Sequence, residues 1–169
     1  MFSTYFTEQF PAILREIGAN YKPDAIYTNG WPCVDAFEVC HCVSCQKIYE
    51  AIGGVPPETT DSRSVMYRRY YKVYMERIAE VWKLWTGIAE AANPDSTYVG
   101  NFGESIWTVK DMKTLGDKAD WFNADNQGRR QGRPIWMCAQ QGRLAKSVVR
   151  NKPITNIVAA VAYESNELT

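Results

Sequence analysis

The sequence predicts an α/β domain in which helices cover a parallel sheet, and three observations carry that expectation. Amphipathic stretches with apolar residues every three or four positions alternate with short apolar runs. The short runs end in turn-forming residues such as Asn29-Gly30. The last run, ITNIVAAVAY, is almost wholly apolar, as strands of a helix-covered parallel sheet are. Two architectures fit this alternation, an open doubly wound sheet and part of a (β/α)8 barrel. A complete barrel takes about 250 residues. The 169 residues here would supply about four or five of its strands.

Each element has its own signal. Phe6, Phe10, Ile13, Leu14 and Ile17 make one helical face, with Pro11 marking a start or a bend. Residues 25–28 read as a strand closed by Asn29, Gly30 and Pro32. SCQKIYEAIGG reads as a helix capped by Gly53. After a Pro-rich loop the longest helix spans residues 62–92. Its stripe of Tyr67, Tyr71, Tyr74, Ile78, Val81, Trp85 and Ile88 fits one face packed on a core. NPDS stops it, TYVGNFG is the next strand, and TVKDMKTLGDKA is a short helix. DWFNAD is a strand ending in Asp125, and RPIWMCAQ is read as a further strand. QGRLAKSVVRN is a helix and ITNIVAAVAY the last strand. No repeat or low-complexity segment interrupts the expected single domain, residues 1–169.

Composition narrows the partners. Nineteen basic residues balance 19 acidic ones, which gives no phosphate-tracking surface and no reason to expect nucleic acid. No run approaches the roughly 20 apolar residues of a membrane span. The opening MFSTYFTEQF lacks the basic and apolar regions of a signal peptide. Cytoplasm is the expectation, with a periplasmic or secreted location if the chain begins mid-gene. Six Trp and ten Tyr exceed what a small core needs, so some rings are expected to face a ligand.

Ligands of parallel α/β folds meet the carboxyl ends of the strands. Those ends carry Asn29, Gly30 and Trp31, then Asn101 and Glu104. Asn123, Asp125, Asn126, Gln127, Arg129 and Arg130 follow, then Gln140, Gln141 and Arg143. The set is rich in amides and poor in carboxylates. Amides bond hydroxyl groups both ways, and an indole covers the apolar face of a sugar ring, so a neutral polyhydroxylated ligand fits. Taken singly, Asn and Gly are also ordinary turn residues. Asn29, Trp31, Asn101, Gln127, Arg129 and Gln140 are the expected substrate contacts, with Trp107 and Trp136 further candidate platforms, Trp136 more simply read as core because it alternates within a strand. Dinucleotide, P-loop and nucleophile-elbow fingerprints are absent from the sequence. The single histidine, His41, makes a Ser-His or Cys-His nucleophile a poor reading. Hydrolysis would therefore fall to carboxylates, as in glycoside cleavage. Asp125 is the expected nucleophile or base and Glu104 the expected proton donor, with Asp35 and Glu38 in reserve.

Three of the five cysteines stand in CHCVSC, as Cys40, Cys42 and Cys45, with Cys33 upstream; Cys138 is read as a core residue. Thiolates at these spacings can wrap one tetrahedral ion, and Cys33 would complete four ligands to a structural zinc; the alternative is a set of reduced cysteines in a motif that has lost its metal. The CxCxxC segment before a helix resembles the metal-binding segment of the zinc-containing β-galactosidases, which are barrel glycosidases. Together with DAIYTNGWP, NPDSTYVGNFG and ADWFNADNQGR it resembles a group of longer bacterial glycoside hydrolases with β-galactosidase-like or α-L-fucosidase-like barrels. The resemblance implies an incomplete, central-to-late portion of a (β/α)8 TIM-barrel glycosidase fold acting on an oligosaccharide or glycoside. A partial barrel would leave open strand edges and an uncovered apolar face, so a homo-oligomer or a part of a longer chain is expected. The sequence departs from those families at the first strand end: in the zinc-containing β-galactosidases this strand ends in Asn-Glu, with the Glu as acid/base, and in the fucosidase-like barrels an Asp nucleophile stands near this place, where this chain has Asn29-Gly30. The alternative is a non-catalytic carbohydrate-binding or degenerate barrel.

Overall fold

In a computed structural model the protein is described at residues 2–29, 39–53, 63–101, 112–126, 134 and 136–158. A π-helical turn, Tyr5–Gln9, leads into α1, Phe10–Tyr21, with Pro11 in its first turn. Strand β1, Ala25–Thr28, is followed by α2, Val43–Ile52, and the long α3, Val65–Ala92. Then come β2, Thr97–Gly100; α4, Met112–Lys118; and β3, Phe122–Asn126. Helix α5, Met137–Val149, and β4, Ile154–Val158, complete the described elements.

The termini follow their local chemistry. Ser64 caps α3, its hydroxyl accepting from the Tyr67 amide at 3.3 Å. Gly53 ends α2 at φ +141°, a backbone state that side-chain-bearing residues avoid. Helix α1 closes on left-handed Lys22, whose amide returns to the Gly18 carbonyl. Gly18 also lets α1 lie against α3: a Cβ there would stand 2.6 Å from that of Ala92.

The strands pair in parallel. Ala25 to Thr28 align with Thr97 to Gly100, and Phe122 to Asn126 with Ile154 to Val158. A parallel bridge, Asn101 to Asn123, links the two ladders. Partnered residues of a sheet share a face. Ile26, Tyr98, Phe122, Ala124 and Ile154 therefore line one face, and they join the core. There Tyr98 meets Trp82 and Trp85 edge-on, with ring centroids 5.6 and 5.2 Å apart. The Trp85 indole donates to the Phe6 carbonyl at 3.0 Å, which anchors the N-terminal turn on α3. The opposite face carries Tyr27, Val99, Asn101, Asn123, Asp125 and Thr155.

This architecture corrects the (β/α)8 expectation. Four described strands in two two-stranded ladders, within 169 residues, are too few and too sparse for that barrel. The molecule is a small α/β structure of five helices and two short parallel ladders among its described residues. One cause of the difference is local. The sequence predicts a strand over residues 133–140 and a helix after it, but one helix occupies Met137–Val149. Its buried residues Gln141, Ala145 and Val149 recur every four positions, a helical period that overrides the apolar run before them. Trp136 is accordingly no core strand residue. It is the N-cap of α5 and is 57% exposed. Cys138 is a half-buried helical residue. No helix among the described residues is long and apolar enough to cross a membrane.

Candidate functional site: the strand ends and the cysteine cluster

The carboxyl ends of β1, β2 and β3 bring three predicted residues together. The Asn101 amide donates to Asn29 Oδ1 at 2.8 Å and to Asp125 Oδ2 at 2.7 Å. Asn101 and Asp125 are buried, while Asn29 is exposed at the rim. The parallel register explains the meeting. Asn29 follows the last β1 residue and Asn101 the last β2 residue, and the bridge at Asn123 sets Asp125 beside them. Alternation puts all of these on the face away from the helices.

Four further residues complete the arrangement. Thr155, paired with Asn123 across β3 and β4, donates its hydroxyl to Asn123 Oδ1 at 2.9 Å. Asn123 Nδ2 is then buried with no hydrogen-bond partner among the described residues. A buried donor of this kind normally has a partner, so it is suited to an acceptor brought by a ligand. Gln141 is fully buried and donates from α5 to the Asp125 backbone carbonyl at 2.9 Å, fixing the strand end. Tyr27 is 47% exposed on the same face. Burial, then the Asp125 carboxylate, push its phenol up, and a hydrogen bond with the Asn101 side chain pulls it back.

Gln140 lies exposed on α5, and it is the adjacent Gln141 that reaches β3. Glu104, Trp31, Gln127, Arg129 and Cys33 lie outside the described residues, as do Trp107, Asp35 and Glu38. Thr155 and Tyr27 were missed in the sequence. The signal that finds them is period two along a strand, counted back from Asn29 and across the ladder from Asn123.

The second candidate is the cluster before α2. The Sγ atoms of Cys40, Cys42 and Cys45 lie within 4.8 Å of one another, so the three thiols could hold a metal ion. A tetrahedral ion with metal–sulfur bonds of about 2.3 Å needs sulfurs about 3.8 Å apart. Small side-chain rotations close that difference, so the donor set fits. The backbone is braced for it: the Tyr49 hydroxyl donates to the Cys40 carbonyl, and Gln46 Nε2 to the His41 carbonyl at 3.0 Å. Tyr49 is itself buried against Tyr70, centroids 5.3 Å apart, which ties the loop to α3. Cys42 is the N-cap of α2. Its sulfur makes no capping bond of ordinary length, yet the Cys45 amide pulls its thiol down to about 7, helped by the neighbouring thiols. Burial pushes the Cys45 thiol up, and the two other sulfurs add to that.

The chain matches no family model, no curated protein and no solved structure. What can be said of function therefore rests on the two clusters.

Proposed function

We propose that the protein is carbohydrate-active, binding a neutral sugar at the strand ends and cleaving a glycosidic bond with carboxylate chemistry. The observation that carries this reading is the hydrogen-bonded run Asn29–Asn101–Asp125 at the carboxyl ends of parallel strands. Amides give and accept hydrogen bonds with hydroxyl groups, and the partnerless Asn123 amide would donate to a sugar oxygen. Asp125 would act as nucleophile or base, oriented by Asn101, and Glu104 would be the proton donor. Trp31, Gln127, Arg129 and Gln140 would supply further contacts. At the cysteine cluster the ion would be a structural zinc, with Cys33 as fourth ligand, stapling the loop between β1 and α2.

A panel of aryl glycosides tests the reading. Hydrolysis that falls by about 10²–10⁴ in Asp125→Asn supports it. Activity unchanged by that substitution removes Asp125 from the chemistry. One feature favours a second reading, sugar binding without cleavage. The residue after Asn29 is Gly30, so the strand end that would present an acid/base carries no carboxylate. In that case calorimetry would detect sugar binding, lost in Asn101→Ala, with no turnover of any glycoside.

A further inference from the structure

We propose that Cys42 and Cys45 form a dithiol site that undergoes exchange with the disulfides of small thiols. The two residues are the ends of a C-x-x-C segment laid on the start of a helix. Cys42 is the exposed N-cap of α2, and Cys45, three residues on in the first turn, is completely buried. Residues three apart on a helix face the same side. Their sulfurs lie within 4.8 Å, and the bridge would need side-chain rotation to close them to the roughly 2 Å of a disulfide bond. One sulfur is thus open to a solution partner, and the other is shielded from it but within reach of the first. That division suits an attacking thiol and a resolving thiol.

The exchange balances without any other reactant. The Cys42 sulfur, as thiolate, attacks one sulfur of the incoming disulfide and expels the first small thiolate. Cys45 gives its proton to solvent and attacks the Cys42 sulfur of the mixed disulfide. The second small thiolate leaves and a Cys42–Cys45 bridge remains. Two electrons pass from the protein dithiol to the small disulfide, which is reduced to two thiols. The loop is already held for this step, because Gln46 fixes both the Cys42 and the His41 carbonyls, at 2.9 and 3.0 Å. Cys40 stands before the helix with its carbonyl taken by Tyr49. Its sulfur lies within the same 4.8 Å, and the bridge is assigned to the C-x-x-C pair because Cys42 is the exposed sulfur and Cys45 the shielded one. Bridging removes two of the three thiols that would hold a metal ion, so oxidation and metal binding exclude each other. The site does not depend on the strand-end reading, and either can fail alone.

The test uses the full chain, freed of metal by chelation and exposed to oxidised glutathione, with bonds located by peptide mass spectrometry. The unaltered chain should end with a Cys42–Cys45 bridge and little bound glutathione. Cys45→Ser should trap glutathione on Cys42, and Cys42→Ser should lower total incorporation by about tenfold or more. Should the serine variant not fold, Cys45→Ala keeps the position apolar and should trap in the same way. A bridge that uses Cys40, trapped glutathione on Cys40 or Cys138 in place of Cys42, or thiols that all remain reduced would each overturn the proposal.

Discussion

Replacing Asn101 by alanine should cost the fold about 2–4 kcal/mol. The magnitude comes from two bonds. The amide donates to Asp125 Oδ2 at 2.7 Å and to Asn29 Oδ1 at 2.8 Å. A hydrogen bond to a charged group contributes about 1.5–3 kcal/mol and a neutral one about 0.5–1.5. Asn101 is 5% exposed and Asp125 7%, so the carboxylate left behind is poorly placed to recover a donor from bulk water. The low end of the range holds if the cavity admits one water molecule. Urea unfolding of the natural chain, Asn101→Ala, Asp125→Asn and the double variant measures the effect. The two positions touch, so their coupling should be about 1–3 kcal/mol. Additive effects, within about 0.5 kcal/mol, would refute the claim that Asn101 holds this carboxylate.

Gly18→Ala should destabilise the fold by about 1–3 kcal/mol, because the new methyl has only 2.6 Å to the Ala92 Cβ. Helix propensity pulls the other way by about 1 kcal/mol at most, and a raised melting temperature would show that α1 and α3 do not pack so closely. On the proposed reading of the cysteine cluster, Cys40→Ser should weaken the binding of added zinc by at least about a hundredfold, read by elemental analysis and competition with a chelator. Equal affinity in the variant would place the ion elsewhere. Tyr49→Phe removes the bond to the Cys40 carbonyl, so zinc should bind more weakly while α2 keeps its helicity by circular dichroism.

Legibility in the sequence followed the strength of the local signal. The α3 stripe was readable because Tyr67, Tyr71, Tyr74, Ile78, Val81, Trp85 and Ile88 repeat a helical period over many turns; all are buried except Tyr71, which is half-buried against the core. The strand-end site was readable in outline because Asn29, Asn101 and Asp125 each close a short apolar run. That they touch is a matter of register, which no single strand encodes. The start of α5 was not readable. An apolar segment around Trp136 fits a buried strand as well as a helix, and only the placement of Gln141, Ala145 and Val149 decides it. Barrel closure was the largest error. It depends on how many strands pair and in what ladders, which periodicity within one element does not specify.

The buried tyrosines set an alkaline limit on this fold. Tyr49, Tyr70 and Tyr98 are at most 3% exposed, and burial pushes each phenol well above its ordinary range. Coulombic repulsion from Cys45 adds to the effect at Tyr49, and from Tyr49 at Tyr70. An unfolded tyrosine ionises near pH 10. The folded state holds its protons more tightly, so the stabilisation is fully present below about pH 10 and is lost as pH rises beyond it. Each such phenol removes about 1.4 kcal/mol per pH unit above that point, and three together remove about 4 kcal/mol by about pH 11. A typical domain has about 5–15 kcal/mol in all, so a chain at the low end of that range should unfold cooperatively a little above that pH and a more stable one at a higher pH. Tyrosinate absorbance should then rise in step with the loss of helical ellipticity. Three phenols ionising near pH 10 with the helices intact would mean that Tyr49, Tyr70 and Tyr98 are open to water, and the packing of α2, α3 and β2 described above would have to be abandoned.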